Sequence, residues 1–296
     1  MSSSSPLKKF GIWGNTDKEK FWDLLGPILD WSKKNFLEAF ITTRINDNHH
    51  KKFSHEPKII ESAEDFNKLD FLIALGGDGT ILSAARAVGS RQIPIIGIHL
   101  GELGFLAEVT IDEMFSRLDQ IAKGDFSTQP RMTLKATLSK NGTNKIFHAL
   151  NDFVIDRGKS QRIINLELYA GNNFISAYKS DGLIISTPTG STAYSLSAGG
   201  PILMPKLSAI AVTPLSPHTL SLRPIVLPDD QVVEIRSLEQ GEIAFAVDGQ
   251  VSEHFNRDTK VIIEKSSYSI NMINFPDSNY FHTLNLKMGW GKRGGV

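Results

Sequence analysis

The sequence predicts an α/β unit with a parallel sheet followed by an all-β unit of the sandwich type. Through about residue 126, short apolar runs alternate with segments whose apolar residues recur at helical spacing, which implies parallel strands with helices on the sheet faces. Beyond it, brief alternating or wholly apolar runs are separated by turn residues, the rhythm of a sandwich or related sheet pair. A third piece, residues 273–296, contains a helix-like stretch from Tyr280 to Trp290 with a basic end and is expected to return to the first unit.

In the first unit, Phe10 to Trp13 is a short strand, and Gly14-Asn15-Thr16-Asp17 supplies turn and helix-start residues. From Lys18 to Lys34, Phe21, Trp22, Leu25, Ile28, Leu29 and Trp31 mark a helix face. Phe36 to Thr42 is the second strand, and the polar stretch Asn46 to Pro57 is expected to be a mobile loop. Asp70 to Leu75 suits a strand buried on both faces. It stops at Gly76-Gly77-Asp78-Gly79-Thr80, after which Ile81, Leu82, Ala85 and Val88 line one face of a helix. Ile93 to Ile98 is a further buried strand, and a helix over Ile111 to Lys123 ends at Gly124. In the second unit (127–272), strands are expected around Leu134–Leu138, Phe153–Asp156, Ile164–Tyr169, Val232–Ile235, Ile243–Val247 and Lys260–Ile263. Turns are expected at Asn141-Gly142, Gly171-Asn172 and Pro228-Asp229-Asp230, and a helix start is allowed over Ala193 to Ala198.

Composition narrows the function classes. Hydrophobic residues make up 41% and charged residues 22% of 296, the usage of a folded domain. Basic and acidic residues number 32 each, and the absence of a positive excess argues against a nucleic-acid binder. With no cysteine, disulfides, thiol nucleophiles and thiolate-bound zinc are out. Residues 1–6, Met-Ser-Ser-Ser-Ser-Pro, lack the apolar core of a signal peptide, and no apolar run is long enough to cross a bilayer. A soluble, cytoplasmic protein without a membrane partner is the expectation.

Four motifs carry candidate chemistry. The turn Gly76-Gly77-Asp78-Gly79-Thr80 lies at the carboxyl end of a parallel strand, where open α/β sheets bind ligands. Its glycines allow close backbone approach, and N–H groups at the following helix start suit phosphate oxygens. It is neither a Walker A loop nor a dinucleotide fingerprint. Asp78 is out of place beside phosphate unless it acts as a base or holds a metal against the phosphates. The plainer alternative is a tight turn with Asp78 capping the helix. Downstream, Ser180-Asp181-Gly182 precedes a hydroxyl-rich stretch from Ser186 to Ser195, suited to a nucleotide's polar edges or, more plainly, to loop capping. Asn151-Asp152 could hydrogen-bond an adenine or a ribose, or serve turn chemistry. Asp248-Gly249-Gln250 is first a hairpin turn. The eight histidines are scattered apart from His49-His50, and no cluster suited to a permanent metal stands out.

Taken in order, these motifs resemble those of bacterial NAD kinases over nearly the whole chain. The resemblance rests on Gly76 to Thr80, Gly101-Glu102-Leu103-Gly104-Phe105-Leu106, Ala149-Leu150-Asn151-Asp152, Ser180 through Pro201, Asp248-Gly249-Gln250 and Met288-Gly289-Trp290-Gly291. The glycine turn alone is shared with diacylglycerol-type lipid kinases, whereas the long Ser180 to Pro201 stretch is far more specific. The resemblance implies a Rossmann-like first domain, a β-rich second domain, NAD and ATP as substrates, and a divalent metal, Mg²⁺, carried with ATP. It also implies a homo-oligomer, a dimer or tetramer. By position, Asp78 would be the catalytic base, with Gly76, Gly77, Gly79 and Thr80 at phosphate. NAD contacts would come from Asp78, Gly79, Asn151, Asp152, Asp181 and the run Thr192, Ala193, Tyr194, Ser195, Leu196, Ser197. Arg162, Lys179, Thr189 and Gln250 match further ligand positions. The family usually has Glu where Asp152 stands and Asn where His99 stands.

Overall fold

The structure, a computed structural model, describes residues 7–49, 56–158, 160 and 162–290, with the backbone alone at 251–252. The chain divides into two compact units, one within 1–130 and 270–296 and the other within 131–269.

In the first unit the strands are β1 (Lys9–Gly14), β2 (Glu38–Thr42), β3 (Lys58–Ile60), β4 (Phe71–Gly76) and β5 (Ile95–His99). They form a parallel sheet in the order β3-β2-β1-β4-β5. Every residue of β4 is buried, as its unbroken apolar run requires of a central parallel strand. The helices are α1 (Glu19–Lys34), α2 (Thr43–Asp47), α3 (Asp78–Val88) and α4 (Met114–Lys123). Helix α4 stops at Gly124, whose φ of 77° is the left-handed C-terminal position that glycine fills without strain. Phe10, Phe21, Leu25, Ile28, Ile73, Ile96, Leu118 and Phe275 belong to one core that joins sheet and helices.

Two expectations shift here. The fourth helix begins at Met114 rather than Ile111, because Glu113 takes the Thr110 region into a local hydrogen-bonded turn. The expected polar loop opens with α2, whose N-cap Thr42 accepts the Ile45 N–H. Residues 50–55 of that loop lie outside the described residues. Late in the chain, Asp277 takes a two-pronged bond from Arg117 at 2.7 and 2.8 Å, and the guanidinium also lies over the Phe275 ring.

The second unit comprises β6 (Ser127–Lys140) from Arg131 on, β7 (Thr143–Ala149), β8 (Asp152–Asp156), β9 (Ile164–Ala170), β10 (Asn173–Ser180), β11 (Gly182–Ser186), β12 (Ala209–Leu215), β13 (Ile225–Pro228), β14 (Val233–Ser237), β15 (Ile243–Val247), β16 (Val251–Phe255) and β17 (Lys260–Asn274) as far as Ser269. A six-stranded antiparallel sheet runs β13-β12-β11-β8-β15-β16. A second set pairs β10, β9, β14 and β17, with β6 against β17 and β7. Alternate residues of both sets, among them Leu134, Phe153, Leu166, Leu183, Ile235, Phe245 and Ile263, share one core, which makes this unit a sandwich. β6 and β17 run 14 and 15 residues, longer than the short strands their local patterns predict. Between β11 and β12 the expected helix is only a 3-10 turn (Gly190–Thr192) and the single turn α5 (Tyr194–Ser197). The final helix α6 (Tyr280–Met288) is capped by the Asn279 side chain and belongs to the first unit.

Candidate active site

At the end of β4 the glycine turn is built for close contact. A Cβ on Gly76 would lie 2.1 Å from Thr80 Oγ1, so only glycine lets Thr80 fold over the strand end. A Cβ on Gly77 would meet nothing within 4 Å, which leaves that backbone open. Asp78 is the first residue of α3, yet it does not cap it: the helix has no side-chain cap. Its carboxylate instead crosses to the Gly101–Ala107 segment. Oδ2 accepts the Phe105 N–H at 2.9 Å, and Oδ1 accepts those of Leu106 and Ala107 at 3.0 and 3.2 Å. The capping alternative for Asp78 is therefore incorrect. Gly104 makes this wrap feasible, since a Cβ there would sit 2.0 Å from Asp78 Oδ1. Close by, Gly76 pairs with His99 across β4 and β5, and the His99 Nδ1 donates to the Gly101 carbonyl at 2.8 Å.

Beside the turn, a cleft of about 750 Å³ is lined by Trp13, Lys18, Arg44, Gly77, Gly79 and Thr80 among others. It opens where β1, β2 and β4 end, the expected ligand position on a parallel sheet. The indole N–H of Trp13 donates to Ser83 Oγ at 2.9 Å, and Ser83 in turn bonds the Thr80 carbonyl, which fixes the indole against α3. Arg44 pairs with Asp17 at 3.2 Å at the exposed rim. Sequence reasoning missed Trp13, Lys18 and Arg44. The signal available was topological, because each follows or closes a strand at the same sheet edge as Gly76.

In the second unit, Asn151 and Asp152 open β8, the strand between β11 and β15. Asp248, directly after β15, reaches them with its carboxylate. Oδ1 accepts the N–H groups of Asn151 and Asp152 at 2.7 and 3.2 Å, and Oδ2 accepts that of Leu150 at 3.1 Å. Thr187 braces the same turn: its hydroxyl donates to the Leu150 carbonyl at 2.6 Å and accepts the Gly190 N–H at 3.0 Å. Gly190 is packed so closely that a Cβ would lie 2.1 Å from the Asn151 carbonyl oxygen. Around this turn three buried acceptors, Asn151 Oδ1, Ser186 Oγ and Thr189 Oγ1, have no hydrogen-bond partner among the described residues. Ser186 lies opposite Asp152 in the β8–β11 register. Buried polar atoms without partners are rare in folded proteins, and several together are what a ligand's polar edges would satisfy. Burial, followed by the charge of Asp248, pushes the Asp152 carboxyl up to about 7.

The other candidates divide. Much of the hydroxyl-rich stretch is used internally: Ser191 donates to the Pro188 carbonyl, Thr192 to that of Thr189, and Ser195 shares a hydrogen bond with Thr213. Thr189, with Asn151, Asp152 and Ser186, joins the cluster just described, while Tyr194 and Ser197 are exposed and Ala193 and Leu196 half-buried. Asp181 lies at the turn between β10 and β11, paired with Arg157 at 3.4 Å rather than with the Asn151 turn. Lys179, Arg162 and Gln250 are exposed, on β10, before β9 and after the β15 turn respectively.

Comparison with known proteins adds to this geometry. Residues 31–126 match the ATP-NAD kinase N-terminal domain, and residues 150–275 match the ATP-NAD kinase C-terminal domain. The chain belongs to the ATP-NAD kinase family. An NAD kinase of Syntrophotalea carbinolica is 37% identical over 293 residues, covering 97% of this chain and 100% of that one. An NAD kinase of Geobacter sulfurreducens is 44% identical over 227 residues, covering 76% and 80%. Among solved structures, yeast NADH kinase complexed with NADH superimposes with a TM-score of 0.88 at 25% identity, covering 99% of this chain and 90% of that one. An NAD kinase from Archaeoglobus fulgidus in complex with ATP shares the fold, with a TM-score of 0.72 at 24% identity over 95% and 98%. In this kinase, no helix among the described residues is long and apolar enough to cross a membrane. Nor do the described residues include a group of three or more His, Cys, Asp or Glu placed to hold a metal.

Proposed function

We propose that this chain is an NAD kinase, transferring the γ-phosphoryl group of ATP to the 2′-hydroxyl of the adenosine ribose of NAD to give NADP and ADP. Family membership supports the reaction. The observation that carries the assignment of roles is the Asp78 carboxylate, fixed by three backbone N–H groups, on a residue whose neighbours Gly77 and Gly79 line an open cleft. A carboxylate offers about four acceptor positions. Oδ1 uses two here and Oδ2 one, so the remaining capacity lies on Oδ2. Oδ2 is therefore the oxygen assigned to accept the ribose 2′-hydroxyl proton as that oxygen bonds to the γ-phosphorus. The bond between the γ-phosphorus and its bridging oxygen then breaks, and the electron pair leaves with ADP. General-base assistance of this kind contributes typically about 10²- to 10⁴-fold, with positioning and charge neutralisation supplying most of the rest.

The cleft lined by Trp13, Lys18, Arg44 and the glycine turn is assigned to ATP, with Gly76, Gly77, Gly79 and Thr80 toward the phosphates. NAD is assigned to the second-unit cluster. Asn151 Oδ1 needs a donor such as an adenine amine or a ribose hydroxyl, and Ser186 and Thr189 bring two further hydroxyls. Additional contacts are assigned to Asp181, to Thr192 through Ser197, and to Arg162, Lys179 and Gln250. A divalent cation, Mg²⁺, would arrive bound to the ATP phosphates and neutralise their charge. The donor set fits that route rather than a resident site, because the glycine turn offers backbone N–H groups and one carboxylate already engaged by the chain. A cytoplasmic homo-oligomer, dimer or tetramer, completes the proposal.

The test is direct. Purified protein incubated with NAD, ATP and Mg²⁺ should yield NADP, measured with a strictly NADP-dependent dehydrogenase. Folded protein that binds NAD and forms no NADP would overturn the assignment.

A further inference from the structure

We propose that the cleft beside the glycine turn recognises the phosphoryl donor by its base: the flat ring of a nucleoside triphosphate stacks on the Trp13 indole, so the site takes a nucleotide in preference to a bare polyphosphate. The proposal rests on the NAD kinase reading, which assigns the donor to this cleft. It goes beyond that reading by naming the part of the donor that is read and the side chain that reads it.

The lining of the cleft falls into two chemical groups. Trp13, Ile60 and Phe66 are apolar, whereas the glycine turn brings backbone, and Lys18 and Arg44 bring cationic side chains. The Trp13 and Phe66 rings lie 6.2 Å apart between centroids and are tilted by 50°, so they meet at an angle as one aromatic wall. Strand alternation puts Phe10 and Ile12 of β1 into the core and Trp13 on the other face of the sheet, against α3. There its indole N–H donates to Ser83 Oγ at 2.9 Å, and the Ser83 hydroxyl donates to the Thr80 carbonyl at 2.8 Å. Two hydrogen bonds thus tie the indole to the helix that starts in the glycine turn. Phe66 is buried on a 3-10 turn (Ala63–Lys68). The start of that turn is fixed by the Asp65 carboxylate, which accepts the Glu61 and Ser62 N–H groups at 3.0 Å each.

The N–H is the only polar group of a tryptophan side chain. With that group engaged by Ser83, Trp13 offers a ligand its π-face, which suits a stacked base. A polyphosphate is anionic throughout and gains nothing from an apolar wall. A nucleoside triphosphate carries an aromatic ring at one end and three phosphates at the other, which matches both groups of the lining. The volume of about 750 Å³ belongs to the size class of sites that enclose a drug-sized ligand.

The experiment measures donor binding and turnover in wild type, Trp13→Phe and Trp13→Leu. Adenylyl imidodiphosphate with Mg²⁺, an ATP analogue whose γ-phosphoryl group is not transferred, is titrated calorimetrically, and inorganic tripolyphosphate is tested as an inhibitor competing with ATP. Trp13→Leu should weaken analogue binding and raise the KM for ATP by roughly 5- to 100-fold, the loss of one base–aromatic stack. Tripolyphosphate inhibition and the KM for NAD should stay close to wild type, and Trp13→Phe, which keeps an aromatic face, should recover most of the affinity. Wild-type analogue affinity in Trp13→Leu would overturn the proposal. So would equal losses for analogue and tripolyphosphate, which mark a collapsed cleft, or tripolyphosphate that competes as tightly as ATP binds in wild type. If Trp13→Leu does not fold, wild type decides: the analogue should quench tryptophan fluorescence and tripolyphosphate should not, and equal responses reject the stacking. A wild type that shows this donor pattern yet forms no NADP would sink the kinase reading and leave the base site standing. NADP formation with an unchanged KM for ATP in Trp13→Leu would do the reverse.

Discussion

Asp78 at the start of α3 and Asp248 at the end of β15 each accept hydrogen bonds from three consecutive backbone N–H groups, those of Phe105–Ala107 and of Leu150–Asp152. In both cases two bonds fall on Oδ1 and one on Oδ2. The surroundings differ. Asp78 is half-buried beside an open cleft, with glycines on either side, whereas Asp248 is buried, strained in φ, and next to a second carboxyl. One hydrogen-bonding device thus serves two ends. At the half-buried position it fixes a carboxylate with one N–H on Oδ2; in the interior it uses a carboxylate to shape the turn that opens β8.

The largest effect that would break this comparison is at Asp78. Asp78→Asn should lower kcat by about 10²- to 10⁴-fold while calorimetry finds NAD binding largely intact; near-normal turnover would remove the base assignment. Next is the stability carried by Asp152. Its folded value, raised from 3.8 to about 7, means the native state keeps a proton that the unfolded chain has already lost. That contribution is complete below pH 3.8 and disappears as pH rises through about 7, a change on the order of 4 kcal/mol. Urea unfolding of wild type and Asp152→Asn at matched pH values should show this slope in the first and not in the second. Parallel slopes would mean that Asp152 ionises freely. Third, Gly104→Ala places a methyl against Asp78 Oδ1 and should misplace that carboxylate, costing on the order of 10²-fold in kcat. Wild-type kcat there would show that the wrap is dispensable. Smallest is Arg157→Ala: its pair with Asp181 is solvent-exposed, and the change in stability should stay below about 1 kcal/mol.

The comparison also marks how far the sequence is legible. The Gly76–Thr80 turn, the hairpin at Asp248-Gly249 and most strands follow from local pattern, because glycine, buried apolar runs and alternation act over a few residues. The partners of the two aspartates do not. Asp78 finds its donors 27 to 29 residues away and Asp248 finds its donors 96 to 98 away. Asp78 therefore resembles a helix cap until the Gly104 loop is seen to close on it. The same limit hides the cleft residues Trp13 and Arg44, which reach Gly77 only through the parallel order of β2, β1 and β4. The hydroxyl-rich stretch looks uniformly available in sequence, yet Thr187, Ser191 and Ser195 hold the loop together, while the buried Ser186 and Thr189 hydroxyls have no hydrogen-bond partner among the described residues.

The claim that one device performs two functions is tested most directly by steady-state NADP formation, across pH, by wild type, Asp78→Asn and Asp248→Asn. The account predicts a kcat loss with little change in the KM for NAD in the first variant. For the second it predicts a raised KM for NAD with a smaller change in kcat, because the turn carrying Asn151 and Asp152 loosens. The same pattern of loss in both variants would contradict it.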